Sequence, residues 1–271
     1  MTLAYVAEFL AEDEPLLTAR HNAAEVGGVV PVDPVCGAAL RFTTAAIAAR
    51  AVVEIGTGCG TSGIWLLRGM REGSVLTSVD VEPEYQRLAR GAFVGAGFGP
   101  SRYRLISGRA LEVLPRLADG AYDLVFCDGD QQEYPDYLVA ALRLLRPGGV
   151  LAFDNALPEE RMAGTAQAGT AQAGTGQAGT GRDGHAPERP GHEARHFHTG
   201  RDELLRPAPG HDGLLRAAPP GHDDQGRGPR EPDDSGAAAV LELCEQVRTH
   251  DRLVPLLLPI GGGLLAAVKR G

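Results

Sequence analysis

Residues 51–70, AVVEIGTGCGTSGIWLLRGM, decide the fold. A short β-branched apolar run gives way to a glycine-rich turn and then to a helix with apolar periodicity, so the stretch reads strand, loop, helix. Gly56, Gly58 and Gly60 carry no Cβ and tolerate positive φ, which lets backbone N–H groups come close to a ligand. The helix opened by Thr61 and Ser62 directs its positive end at the same point. Asp80 closes a second strand, 74–80. It follows the loop by about 20 residues, the spacing at which an acid accepts hydrogen bonds from ribose hydroxyls. The pattern predicts a nucleoside-bearing cofactor lying across this turn.

Outward from that unit, strand and helix alternate. Helices are expected over 82–96, 109–118 and 137–146, and strands over 102–107, 122–128 and 150–154, with Pro147-Gly148-Gly149 as a break. Five alternations imply a parallel, doubly wound α/β sheet that binds ligands above the carboxyl ends of its strands. Glu54, Asp80, Asp128 and Asp154 all stand at such ends. Upstream, 3–20 reads as one or two amphipathic helices, 29–34 as a connector and 37–50 as an alanine-rich helix. Downstream, a helix over 237–250 precedes two apolar runs, 253–260 and 264–269, joined by Gly261-Gly262-Gly263, which reads as a β-hairpin.

Residues 158–236 differ in kind. A five-residue repeat built on AGTAQ leads into a segment rich in Pro, Gly, His and Arg, with LLRPAPGHD echoed by LLRAAPPGHD. Such a composition buries too little apolar surface to offset its ordering entropy, so it is expected to be a disordered insertion within a single domain formed by 1–157 and 237–271. Its histidines have no fixed ligand spacing and are not read as a metal site.

With 271 residues and 43% apolar content the chain can build one sizeable core. The net charge of −9 argues against a nucleic-acid surface. No apolar run reaches the roughly 20 residues of a membrane span. The four cysteines are widely spaced, which fits reduced thiols and a cytoplasmic setting. Lys269 is the single lysine, so no lysine in the body of the chain is available as a base.

The glycine loop alone leaves two readings open. Gly58 to Gly63 fits the dinucleotide pattern GxGxxG, while Glu54 to Gly60 fits ExGxGxG. The first would make the chain a nicotinamide-dependent oxidoreductase; the terminal hairpin and the lack of a Ser/Tyr/Lys relay spacing favour the second. VVEIGTGCGTSGIWLL, TSVDVEPEYQRLAR, GRALEVLPRL, YDLVFCDGDQQEYPDYL and LRPGGVLAFDNAL together resemble the bacterial S-adenosylmethionine-dependent O-methyltransferases of the catechol and caffeoyl-CoA type. The resemblance covers about 25–157 and 237–271 and implies a class I methyltransferase fold, Rossmann-like and three-layered, with seven strands of which the last is antiparallel.

It further implies that Glu54, Gly56, Thr57 and Ser62 lie against the methionine part of S-adenosylmethionine (SAM), with Gly58 and Gly60 in the same loop. Asp80 would hold the ribose, Arg109 and Ala110 would flank the adenine, and Val32 would reach the cofactor from the connector. Asp128, a cofactor neighbour and catalytic candidate, joins Asp154 and Asn155 at the family's divalent-cation positions. Two carboxylates and an amide oxygen form a hard site suited to Mg²⁺, or to Ca²⁺ or Mn²⁺. The implied partner is a small hydroxylated acceptor, and the implied assembly a homodimer.

One departure stands out. Many relatives carry a lysine three residues after the first metal acid, where this chain has Gln131, which cannot serve as a base. Asp130, Tyr134 or water could replace it. Loss of turnover with the cofactor site retained, a SAM-binding protein without activity, is the other reading that this position leaves open.

Overall fold

The computed structural model describes residues 5, 8–157 and 234–271. The expected disordered insertion therefore lies outside the described residues, except that Asp234, Ser235 and Gly236 open a helix three residues earlier than the sequence pattern suggested. The elements run α1 (Glu14–Val26), α2 (Pro34–Ala46), β1 (Ala51–Ile55), α3 (Thr61–Gly69), β2 (Val75–Asp80), α4 (Pro83–Gly95), β3 (Tyr103–Ser107), α5 (Ala110–Val113), β4 (Tyr122–Cys127), α6 (Tyr134–Leu144), β5 (Leu145–Phe153), α7 (Asp234–Thr249), β6 (Leu253–Leu258) and β7 (Leu264–Lys269).

Seven strands form one sheet in the order β3-β2-β1-β4-β5-β7-β6. β1 to β5 are parallel, while β7 inserts antiparallel beside β5 and pairs with β6 as a hairpin. The chain order reverses between β1 and β4, so the crevice between their carboxyl ends is where an open α/β sheet binds ligands.

The central strands are continuous apolar runs because both faces are covered. Val53, Ile55, Val125, Cys127, Leu151 and Phe153 point to the layer holding α6 and α7. Val52, Leu124, Phe126, Val150 and Ala152 point to the layer of α2, α3 and α4. Truncating a buried residue such as Phe126, fully buried here, costs about 3–5 kcal/mol.

Local chemistry explains where elements depart from the sequence pattern. The helix expected over 109–118 shortens to α5 plus a 3₁₀ turn, Leu114–Arg116, because Pro115 cannot donate to the ladder. α6 starts earlier than expected since Pro135 suits a first helical turn. The Pro147-Gly148-Gly149 break lies inside β5, where the register against β4 shifts between Tyr122 and Leu124. α2 starts at Pro34, capped by the Asp33 carboxylate, which accepts from the Val35 N–H at 2.8 Å.

α2 and α3 pack at their glycines. A Cβ added at Gly37 would lie 2.4 Å from the Trp65 ring, inside any real contact. Gly37→Ala is expected to destabilise the fold by about 1–3 kcal/mol through overpacking. Chemical denaturation checks this; an unchanged midpoint would show that the two helices can separate freely.

Candidate functional site

The glycine turn at the tip of β1 rests on a buried carboxyl group. Glu54 has no solvent exposure and accepts hydrogen bonds from the Ser62 hydroxyl at 2.7 Å and the Ser78 hydroxyl at 2.6 Å. Ser78 in turn lies 2.7 Å from the Thr57 hydroxyl. One side chain therefore ties β1, β2, α3 and the turn together. Burial pushes the Glu54 carboxyl up to about 7, against the two serine hydroxyls, which pull it down, and with the Asp80 charge adding to the rise.

Above the turn, φ is 91° at Gly56, 47° at Gly58 and 94° at Gly60. A Cβ at Gly56 would stand 2.2 Å from the Asp128 carbonyl oxygen, so this position admits no side chain. The Asp80 carboxylate accepts from the Gly58 N–H and the Glu82 N–H, each at 2.9 Å. Both oxygens keep a lone pair for a further donor.

A cavity of about 460 Å³ opens over these groups. Of the residues expected to hold the cofactor, Val32, Gly56, Thr57, Gly58, Ser62, Asp80, Arg109, Ala110 and Asp128 line it. Glu54 and Gly60 do not: Glu54 lies beneath the turn, and Gly60 faces Ala89 and Phe93 as the left-handed N-cap of α3. Both shape the turn on which the cavity opens.

The cavity also has walls that sequence reasoning missed. Val30 and Pro31 of the connector face it, as does Tyr85, whose hydroxyl donates to the Gly27 carbonyl at 3.2 Å. Tyr85 sits in the first turn of the helix after Asp80, a position that necessarily lies at the strand's carboxyl end and could have been read. At the far side Arg109 pairs with Glu133 at 2.5 Å, and the Tyr137 hydroxyl donates to Glu133 at 2.7 Å.

The acids after β4 and β5 come together beside this cavity. The Asn155 amide donates to Asp128 Oδ1 at 3.3 Å, and Asn155 holds φ of 53°. Asp128 and Asn155 line the cofactor cavity, whereas Asp154 lines a second cavity of about 290 Å³ that Asn155 also borders. Burial raises the Asp128 carboxyl well above the usual range, and the Asp154 and Glu54 charges raise it further. Burial likewise raises Asp154, which accepts from the Cys36 thiol at 3.5 Å. Among the described residues no Arg, Lys or His forms an ion pair with either acid. Nor do three or more described His, Cys, Asp or Glu side chains group as metal ligands. The oxygen set is two carboxylates and an amide.

The candidates for the missing base separate clearly. Gln131 is structural, its amide donating to the Asn155 carbonyl at 3.1 Å. Tyr134 is removed as an alternative because it is fully buried and donates to the Asp154 carbonyl at 2.9 Å. Asp130 is exposed, lines the cavity and accepts from the Gln132 N–H at 3.0 Å.

The seven-stranded sheet with its antiparallel seventh strand, and a cavity over a glycine turn followed by Asp80, define a class I methyltransferase. A family model described as a methyltransferase domain matches residues 53–156. A curated "putative O-methyltransferase" of Mycobacterium ulcerans (strain Agy99) is 50% identical over 260 residues, covering 96% of this chain and 87% of its own length. One of the same description from Mycobacterium sp. (strain KMS) is 44% identical over 267 residues, covering 98% and 91%. The chain belongs to the bacterial S-adenosylmethionine-dependent O-methyltransferase family. Its fold matches that of TomG from Streptomyces achromogenes, an O-methyltransferase of tomaymycin synthesis solved with SAM, at a TM-score of 0.67, 22% identity and coverage of 99% and 95%. The Bacillus cereus O-methyltransferase solved with SAH gives 0.67, 21%, 98% and 96%.

Glu54 gives a pH-dependent prediction. Its folded value, about 7, exceeds the ordinary 4.5. The stability it contributes is therefore fully present below about 4.5 and lost as pH rises through about 7. Glu54→Gln stays neutral throughout. The variant is expected to gain on the wild type between pH 5 and pH 8, by on the order of 3 kcal/mol. Urea denaturation at the two pH values measures it; a pH-independent difference would mean that Glu54 does not titrate in this window.

Proposed function

We propose that the chain transfers the methyl group of SAM to a hydroxyl of a small catechol-like acceptor, with help from a divalent cation. The observation that carries this reading is the pair of acids, Asp128 and Asp154, raised by burial and without a cationic partner among the described residues, beside a cavity framed by a glycine turn and Asp80. Relatives named O-methyltransferases support the reaction class.

SAM is assigned to the larger cavity. Asp80 would accept from its ribose hydroxyls, and the N–H groups of the turn and the α3 N-terminus would receive its carboxylate. The sulfonium is already electrophilic, so no covalent protein intermediate is required. The chain's task is to align acceptor oxygen, methyl and sulfur, and to favour the acceptor's anion. A phenol of pKa about 10 is roughly 0.1% ionised at pH 7, a deficit of about 4 kcal/mol.

The donor chemistry of Asp128, Asp154 and the Asn155 amide fits Mg²⁺, with Ca²⁺ or Mn²⁺ as alternatives. The uncompensated pair of acids is what such a charge would balance. When bound, the cation would supply Lewis-acid stabilisation of the acceptor oxyanion. Asp130, exposed at the cavity wall, is assigned the proton that leaves the hydroxyl. The same reading includes a homodimer, one methyltransferase domain with 158–236 as an insertion, and a cytoplasmic setting in keeping with the wide spacing of the cysteines.

Methyl transfer to a panel of catechols, followed by mass spectrometry, tests the proposal. Chelator and Asp154→Ala are each expected to lower the rate at least about 100-fold. Survival of turnover under both treatments would remove the cation and leave the methyl transfer standing. Calorimetry showing binding of a nicotinamide cofactor and none of SAM would remove both.

A further inference from the structure

The second cavity meets the first at Val30, Pro31 and Asn155, and Asp154 faces it. On the proposed reading it receives the methyl acceptor. Among the described residues lining it, Arg20 of α1 is the one basic residue. The guanidinium is held firmly: Nε and Nη2 grip the two oxygens of Glu12, the Nη2 bond being 2.8 Å, and Nη2 also donates to the Val32 carbonyl at 2.6 Å. Glu12 is the better buried of the pair, its side chain 7% exposed against 24% for Arg20.

This grip uses three of the five guanidinium N–H groups and fixes the plane of the fork. The two on Nη1 have no hydrogen-bond partner among the described residues. Glu12 already balances the charge, so what Arg20 offers the cavity is a pair of preorganised donors and not a net positive field. Asp33, the other acid on this wall, has Oδ1 engaged at the α2 N-terminus. A donor pair of this kind recognises an oxygen with lone pairs, and an acceptor lacking that oxygen leaves the donors unpaired once water is excluded.

We infer that Arg20 Nη1 selects methyl acceptors that carry a carbonyl or carboxylate oxygen on the ring, away from the reacting hydroxyl. The inference rests on the proposed methyl transfer. It makes Arg20 a specificity residue, fixed in place by Glu12 and by the connector that also walls the cofactor cavity.

Calorimetry on the whole protein, saturated with S-adenosylhomocysteine and Mg²⁺, tests it with three probes: protocatechuate, its aldehyde and methylcatechol. Wild type is expected to bind the acid, the aldehyde or both about tenfold or more tightly than methylcatechol. Preference for the acid identifies a carboxylate, and equal preference for acid and aldehyde identifies a carbonyl. Arg20→Met keeps the aliphatic stem and is expected to abolish that preference, bringing the affinities for the three probes within about twofold of one another whatever their common level. Equal affinities for the three in the wild type, or no binding by any of them, overturn the assignment without need of a variant. A loss in Arg20→Met shared equally by methylcatechol marks a purely structural role and also overturns it. If S-adenosylhomocysteine itself does not bind, the methyl-transfer reading fails first, and the two failures are told apart.

Discussion

A carboxyl group with no access to water lies under the loop that defines the site. Glu54 is the one acid in an otherwise apolar strand, near its carboxyl end, and leaving it unpaired there would cost several kcal/mol. Ser62 comes from α3 and Ser78 from β2, so satisfying that single side chain fixes the helix, the neighbouring strand and the turn at once. Thr57 extends the network into the turn through Ser78. The left-handed glycines above it are then held where their N–H groups can face a ligand. The Gly56 Cα packs against the Asp128 backbone, which couples the cofactor turn to the acid after β4.

That coupling sets the glycine turn and the acid after β4 on one crevice. The sheet reverses between β1 and β4, opening a gap in which the turn faces one side and Asp128 the other. β5 brings Asp154 and Asn155 alongside, since Cys127 pairs with Phe153 and the next residues leave the sheet together. Burial raises both acids, and like charge adds to it, from Asp154 and Glu54 at Asp128 and from Asp33 at Asp154.

The sheet was legible from sequence because its central strands are buried on both faces and their apolar runs end in acids at ligand-binding positions. The hairpin was legible from two apolar runs around three glycines. Element ends were less so: Pro115 cut one expected helix short, and Pro135 began another early, although both prolines stand in plain sight. The direction of the Glu54 side chain was less legible still. An acid just before a glycine turn looks the same in sequence whether it faces the ligand or lies beneath the loop. Its direction depends on two serines, one 8 and the other 24 positions away, closing over it.

The wall of the second cavity was not legible at all, for a reason that is geometric. Arg20 comes from α1, Val30 and Asp33 from the connector, Asp154 and Asn155 from the end of β5, and Gly262 from the hairpin turn. No local pattern joins segments so far apart in the chain. The hairpin turn can close on this wall only because Gly262 has no side chain: a Cβ there would stand 2.1 Å from the Asn155 amide oxygen. The antiparallel β7 delivers that turn, since pairing with β5 sets Leu265 opposite Phe153, next to the acids. The strand that separates this sheet from the nicotinamide-binding arrangement is therefore also the one that completes the wall of the second cavity. Fold class and the shape of that cavity are two consequences of the same pairing.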